Sequence, residues 1–425
     1  VTLWAALVDK IVIMYGLGSN KLYIMSLKIV NDNRQVIFSL SIFLLLIVAC
    51  EPPTSESIEN SISYVNLEII GESPLQTIDS IETFKIEIQD LDNPVGIGFS
   101  YVLDNQLLFF DRIRGEVLEI DPETGRQKLI IRHGEGPNEI PKFQTFTHSD
   151  DKRIFLYGYT YFIYDNNWEQ IQRGSYDFYG NDQLSEIEAN PNGAMIGTYE
   201  IKYYLNQPYL VDDKLWINIE SSNPNFNFLM HESYYRESRI VGEVNLKTGE
   251  IEKILGRKSP IYLNYRFIPH HDYYYLVPFG DDFLLSFEPD SAIYVVDKEL
   301  KPKSSFGAKG INMDQSYVEM SEIEDWESYW FISRVKKGYY KQIWASEEEN
   351  LILRTYTQGN NKDQIENLGD NPKRMQIFKD FQLIGDVSIP TYFKVIGKIG
   401  EYYYADGSSE NPDNEEILIY RFKID

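Results

Sequence analysis

His270 and His271, followed at once by Asp272, are the residue types from which a metal site or an acid–base pair is built, and His133 is a third imidazole of the same kind. Spacing argues against such a site. Adjacent residues on a strand point to opposite sides, so at most one of the pair enters a given pocket. No His-x-x-x-His pair, cysteine cluster or nucleophile elbow accompanies them. Both are read as packing residues. The stretch HGEGPNEI (133–140) offers glycine amides to an anion, but no Walker-type lysine follows, and Glu135 and Glu139 would repel phosphate. A turn between structural units is expected there. Aromatic runs at 157–164 (YGYTYFIY), 272–277 (DYYYLV), 327–331 (ESYWF) and 401–406 (EYYYAD) suit stacking on sugar rings or peptide side chains, although tyrosine also fills strands and cores.

Oxygen-rich pairs recur six times, at Asp104-Asn105, Asp150-Asp151, Asp212-Asp213, Asp281-Asp282, Glu349-Asn350 and, in a weaker copy, Gly400-Glu401. Such loops suit calcium. Each one, however, stands directly before an apolar β-prone run, which makes them hairpin turns on one face that do not converge on a point. Their spacing of roughly 45 to 70 residues is that of a repeat.

A second turn class follows most of them. VLEIDPETG (117–125) and VGEVNLKTG (241–249) align without a gap, and Gly125 and Gly249 fall where a type I turn plus bulge needs a left-handed residue. Each unit therefore reads strand, acidic turn, strand, loop, strand, second turn, strand. A four-stranded antiparallel unit at this period is a propeller blade.

The expected fold is all-β, a six-bladed β-propeller with blades near 96–132, 143–178, 208–257, 272–307, 339–389 and 391–425. A seventh is left open by an extra hairpin read at Asn192-Gly193. The last unit has only three strands, so an N-terminal segment, YVNLEII (64–70) or TFKIEIQ (83–89), is expected to close the ring. Residues 312–338 fit no strand and are expected to carry a short helix between blades.

In such a meander the loops between second and third strands share one face with the connections between blades. On that face the sequence places Arg112, Arg114, His133, Glu135, Tyr159, Tyr161, Arg236, His270 and His271, together with the long insertion 221–238. Long loops on a rigid scaffold are where binding concentrates.

Composition bounds the partners. A net charge of −25 argues against nucleic acid and anionic surfaces, and the abundance of tyrosine (32) and phenylalanine (23) agrees with a β-rich chain. From Met25 the chain carries Lys28 and Arg34, then an apolar run from Val36 to Val48, which is too short for a membrane span and reads as an export signal. It ends in Ile47-Val48-Ala49-Cys50, and Cys50 is the only cysteine. The segmentation that follows is 1–24 as a mis-assigned upstream start, 25–49 as the signal, 50–62 as a Pro-, Ser- and Glu-rich tether, and 63–425 as the propeller. With no second cysteine there is no disulfide, so the core holds by packing alone.

The quartet before the tether resembles the bacterial lipobox, which implies lipidation of Cys50 and a membrane partner through it. Lipobox, six irregular blades and the turn Gly134, Gly136, Pro137, Asn138, Glu139 together resemble the uncharacterised six-bladed, TolB-like propeller lipoproteins of Bacteroidota. The resemblance implies a cell-envelope location, on the outer membrane, and a fold; it brings no reaction. The expected function is binding of a peptide, glycan or envelope protein on the loop face, without catalysis or cofactor. The competing reading is a propeller hydrolase or lactonase with a metal in the central channel.

Overall fold

The computed structural model describes residues 10–15, 22–27, 64, 67–71, 81–88, 97–136, 139–179, 182–202, 207–360, 369, 371–409 and 417–424. Cys50, the apolar run 36–48 and the tether 50–62 lie outside these. Strands Lys10–Tyr15 and Leu22–Leu27 pair antiparallel in a small unit of their own, residues 1–60. All that follows concerns the second unit, residues 61–425.

Six antiparallel sheets succeed one another along the chain and form a ring, a six-bladed β-propeller. Blade 1 is Gly98–Leu103, Gln106–Asp111, Glu116–Ile120 and Gln127–His133. Blade 2 is Thr145–His148, Arg153–Tyr157, Thr160–Tyr164 and Gln170–Ser175. Blade 3 has a divided inner strand, Glu200–Ile201 and Tyr209–Val211, both paired with Lys214–Glu220, and then Val241–Asn245 and Ile251–Leu255. Blade 4 is Tyr274–Phe279, Asp282–Phe287, Ala292–Val296 and Pro302–Gly307. Blade 5 is Tyr339–Ser346, Leu351–Thr357, Lys373–Lys379 and Gln382–Ser388. Blade 6 is Lys394–Ile399, Tyr402–Asp406, Ile419–Phe422 and, as its outer strand, Thr83–Lys85.

Period-two side-chain alternation builds the ring. On the second strand of blade 1, Leu107 and Phe109 face blade 6 while Leu108 and Phe110 face blade 2. The same division recurs throughout, giving one apolar cluster for each of the six blade interfaces. These strands are buried on both faces, which is why they read as apolar runs. Each fully buried large side chain stabilises by about 1.5–3 kcal/mol, and the ring closes without a disulfide.

Both N-terminal candidates for closure are used, in different places. Phe84 sits opposite Arg421, Ile86 N–H donates to the Ile419 carbonyl at 2.9 Å, and Ile86 is buried in the interface of blades 6 and 1. Glu68–Ile69 instead lies parallel on the outer strand of blade 4.

The acidic pairs are the hairpins between first and second strands. Asp104-Asn105 and Asp212-Asp213 are left-handed at both positions, with φ of 51° and 61° and of 47° and 62°. Asp and Asn tolerate that conformation, so the type I′ turn selects them. Neighbouring blades clasp them: Lys298 pairs with Asp212 at 2.8 Å, Lys152 with Asp213 at 2.8 Å, and Arg153 with Asp104 at 2.5 Å.

The second turn class closes third and fourth strands. Asp121 Oδ1 accepts from Glu123 N and Thr124 N, and Asn245 Oδ1 from Lys247 N. Gly125 and Gly249 follow at φ +70° and +82°.

One expectation fails locally. The Asn192-Gly193 stretch is not a hairpin, because Asn192 Oδ1 caps Ala194 N in a turn that leads into the 3₁₀ helix Ile196–Thr198. A helix, Leu184–Ala189, precedes it, and no seventh blade forms among the described residues. Within 312–338 the helix Trp326–Phe331 continues as a π turn to Lys336, between blades 4 and 5.

Candidate functional site

The meander sends the loops between second and third strands, and the connections between blades, to one face. There the connection from blade 2 to blade 3 meets the insertion 221–238, which carries a two-residue hairpin, Ser222–Asn223 with Phe226–Asn227, and the helix Glu232–Glu237. The insertion is pinned from within: Ser221 Oγ donates to the Phe226 carbonyl at 2.6 Å, and Asn227 Oδ1 accepts from Leu229 N and Met230 N.

Between insertion and connection lies a cleft of about 500 Å³. Tyr159, Tyr176, Phe178, Tyr179 and Tyr199 supply its aromatic wall, and Asp177, Glu188 and Glu200 its carboxylates. Tyr179 is 59% exposed at the opening, whereas Tyr176 is 7% exposed and Thr198 4%. The Tyr176 hydroxyl and Thr198 Oγ1 are sealed from solvent and have no hydrogen-bond partner among the described residues. A buried hydroxyl without a partner costs about 1–3 kcal/mol, and two such groups border one cleft. Burial raises the Tyr176 pKa well above its ordinary value, so this hydroxyl stays protonated. The wall is held rigidly: Tyr199 OH donates to the Gly193 carbonyl at 3.0 Å and accepts from Arg239 N at 2.8 Å, and Gly197 N is held by Asp182 at 2.9 Å.

Beneath the insertion lies a buried ionic cluster that no sequence pattern announced. Lys202 Nζ lies 3.3 Å from Asp272 and 3.2 Å from Glu220, and Lys258 also pairs with Asp272. Burial pulls Lys202 down, but Asp272 and Glu220 together outweigh it and hold its pKa above the usual lysine range. For Lys258 burial wins over Asp272 and the pKa is lowered.

The two histidines are buried in the 3₁₀ turn Pro269–His271, not in a strand. His270 Nε2 contacts the Trp326 carbonyl at 3.2 Å. His271 lies against Tyr317 and Tyr339, with Nδ1 3.9 Å from the Glu288 carboxylate that Arg334 clamps. Burial and the nearby Arg334 lower both pKa values, that of His270 to about 4. Both rings are neutral at neutral pH and closed to substrate.

The inner strands of all six blades line an axial channel of about 860 Å³. Arg112, Lys394, Lys398 and His148 are its ionisable groups other than tyrosine, and Gln144, Gln207, Gln342, Ser100, Thr145 and Ser409 its main polar ones. No carboxylate belongs to the described lining.

The residues singled out in the sequence are therefore dispersed. Arg112 lines the channel and Tyr159 the cleft. Arg114 is partly exposed beside Asp111 and Glu116, both at 3.9 Å. His133 is exposed near Gly115, Glu135 is exposed, and Arg236 is exposed on the insertion helix. Tyr161 is buried in its strand and donates to the Leu246 carbonyl at 2.9 Å. In HGEGPNEI the Glu139 carboxylate accepts from Gly136 N at 2.9 Å and takes the place an anion would occupy.

The chain matches no protein-family model and no curated protein. Among solved structures it is similar to a member of the DUF4221 family from Bacteroides vulgatus, with a TM-score of 0.56 and 16% identity over 84% of this chain and 98% of that one. A putative exported protein from Bacteroides fragilis follows at 0.46 and 12%, covering 84% and 99%. Regucalcin, a calcium-binding protein from Agrobacterium tumefaciens, gives 0.41 and 12%, covering 82% and 96%. At these identities the likeness is one of fold.

Proposed function

We propose that this protein is a binding propeller of the cell envelope, held to the membrane by lipidated Cys50, which takes a peptide, glycan or partner protein on its insertion-bearing face without turning it over. The supporting observation is the cleft between blades 2 and 3, where aromatic faces, carboxylates and two buried hydroxyls lacking partners among the described residues meet on long loops. Rigid aromatic anchors with satisfiable polar groups are what binding surfaces use. A metal-dependent hydrolase would need carboxylate donors converging on the axis, and none belongs to the described lining. The channel instead presents an arginine and two lysines, which repel a divalent cation.

Site-specific photo-cross-linking in intact envelopes tests this reading. A cross-linking residue at Tyr179 or Leu184, both exposed at the cleft, is expected to yield a discrete adduct, and one at Glu123 on the opposite face none. Adducts of equal yield from both faces would overturn it.

A further inference from the structure

Arg112 is a cation whose guanidinium makes no hydrogen bond or ion pair among the described residues. It stands at the end of the second strand of blade 1, on the loop-face mouth of the channel, and its backbone N–H is fixed to the Ile97 carbonyl at 2.9 Å. Its Nε is sealed from solvent with no hydrogen-bond partner, and no carboxylate pairs with it among the described residues. Asp406 acts on it electrostatically, but that carboxylate is occupied by Ser100 Oγ, Ser408 N and Ser409 N.

Lys394 opens the inner strand of blade 6 at the same mouth. Further in, Lys398 is engaged by Glu349. Burial and Arg153 lower the His148 pKa, which makes it a neutral ring.

Two acceptors also lack partners. Gln207 Oε1 and Gln342 Oε1 are buried without a hydrogen bond among the described residues, and Gln342 is 9% exposed. Phe99, Tyr101, Phe146 and Trp344 give the channel aromatic faces. An arginine with an open fork asks for a carboxylate or phosphate. Orphan amide oxygens ask for hydroxyl or N–H donors, and aromatic walls suit a ring.

We propose that the axial channel binds a short hydroxylated carboxylate, an acidic sugar of the uronate type, with its carboxylate on Arg112 and Lys394 and its hydroxyls on Gln207 and Gln342. A protein of net charge −25 would otherwise repel such an anion, so the cationic mouth sets selectivity. This site is separate from the cleft between blades 2 and 3, and cross-linking there succeeds or fails independently of it.

The test is calorimetric titration of the full-length protein with glucuronate, digalacturonate and neutral glucose. Both acids are expected to bind, glucose at least about tenfold more weakly, and Arg112→Gln to weaken the acids by about 10- to 100-fold. Because the Arg112 side chain makes no hydrogen bond or ion pair among the described residues and feels Asp406 only at a distance, ligand-free Arg112→Gln should melt close to the wild-type temperature, an outcome an arginine clamped in a structural ion pair would not give. Three results would each overturn the proposal: no heat from either acid at roughly 10 mM, glucose binding as tightly as the acids, or unchanged acid binding in Arg112→Gln.

Discussion

His270 and His271 were the most tempting chemical pair in the sequence, and their burial turns them into a source of pH dependence instead. A histidine that is neutral when buried and ordinary when unfolded has a depressed folded pKa, here from 6.5 to about 4 for His270. Between those values the unfolded chain binds the proton and the folded chain does not, so stability is full above about pH 6.5 and is lost as pH falls towards about 4. The groups facing these rings are Arg334, the Glu288 it clamps, and the rings of Trp326, Tyr317 and Tyr339. Melting temperature measured from pH 7 to pH 4 is expected to fall, and His270→Gln to flatten that fall by an amount corresponding to about 1–3 kcal/mol. A parallel pair of curves would show that His270 contributes none of it. The sequence carried no sign of this environment, since Arg334 and Glu288 lie 46 residues apart and Arg334 stands outside the repeats.

At the level of elements, the turns were the legible part. Acidic pairs and Thr-Gly turns follow local backbone needs, so six blades were found with boundaries close to those observed. Gly249 illustrates why such a position is fixed twice: its φ is +82°, and an added Cβ would lie 2.0 Å from the Ser175 carbonyl oxygen on the outer strand of blade 2. Gly125 repeats the arrangement against Glu87, two residues past the strand that closes blade 6. Gly158, at φ +54° with nothing within 4 Å, carries only the backbone requirement. Chemical denaturation should therefore show Gly158→Ala costing about 1–2 kcal/mol and Gly249→Ala clearly more. Equal losses would mean that the blade contact yields freely. The cleft, by contrast, was illegible in detail. Tyr159 and the insertion were singled out, but Tyr176 and Thr198 belong to a non-repeating connection, and what marks them is a missing partner, which only the folded arrangement reveals.

At the level of the molecule, the anchor and the ring pose different tests. Feeding cells an alkyne-bearing fatty acid should label the wild-type protein and leave Cys50→Ala unlabelled; an unlabelled wild type would remove the membrane from the account. A protein tethered through Cys50 would be pulled from its N-terminal side whenever its ligand resisted movement. Along that direction the propeller is first held at Tyr64, buried against Tyr294 with its hydroxyl on the Arg257 carbonyl, then at Glu68–Ile69, a two-residue parallel pairing on blade 4, and only later at Thr83–Lys85, which seals blade 6. These earlier holds work like the strain relief on a cable: a tug spends itself in drawing out one buried ring and detaching a short strip, while the seam that keeps the propeller shut carries no tension until both have gone.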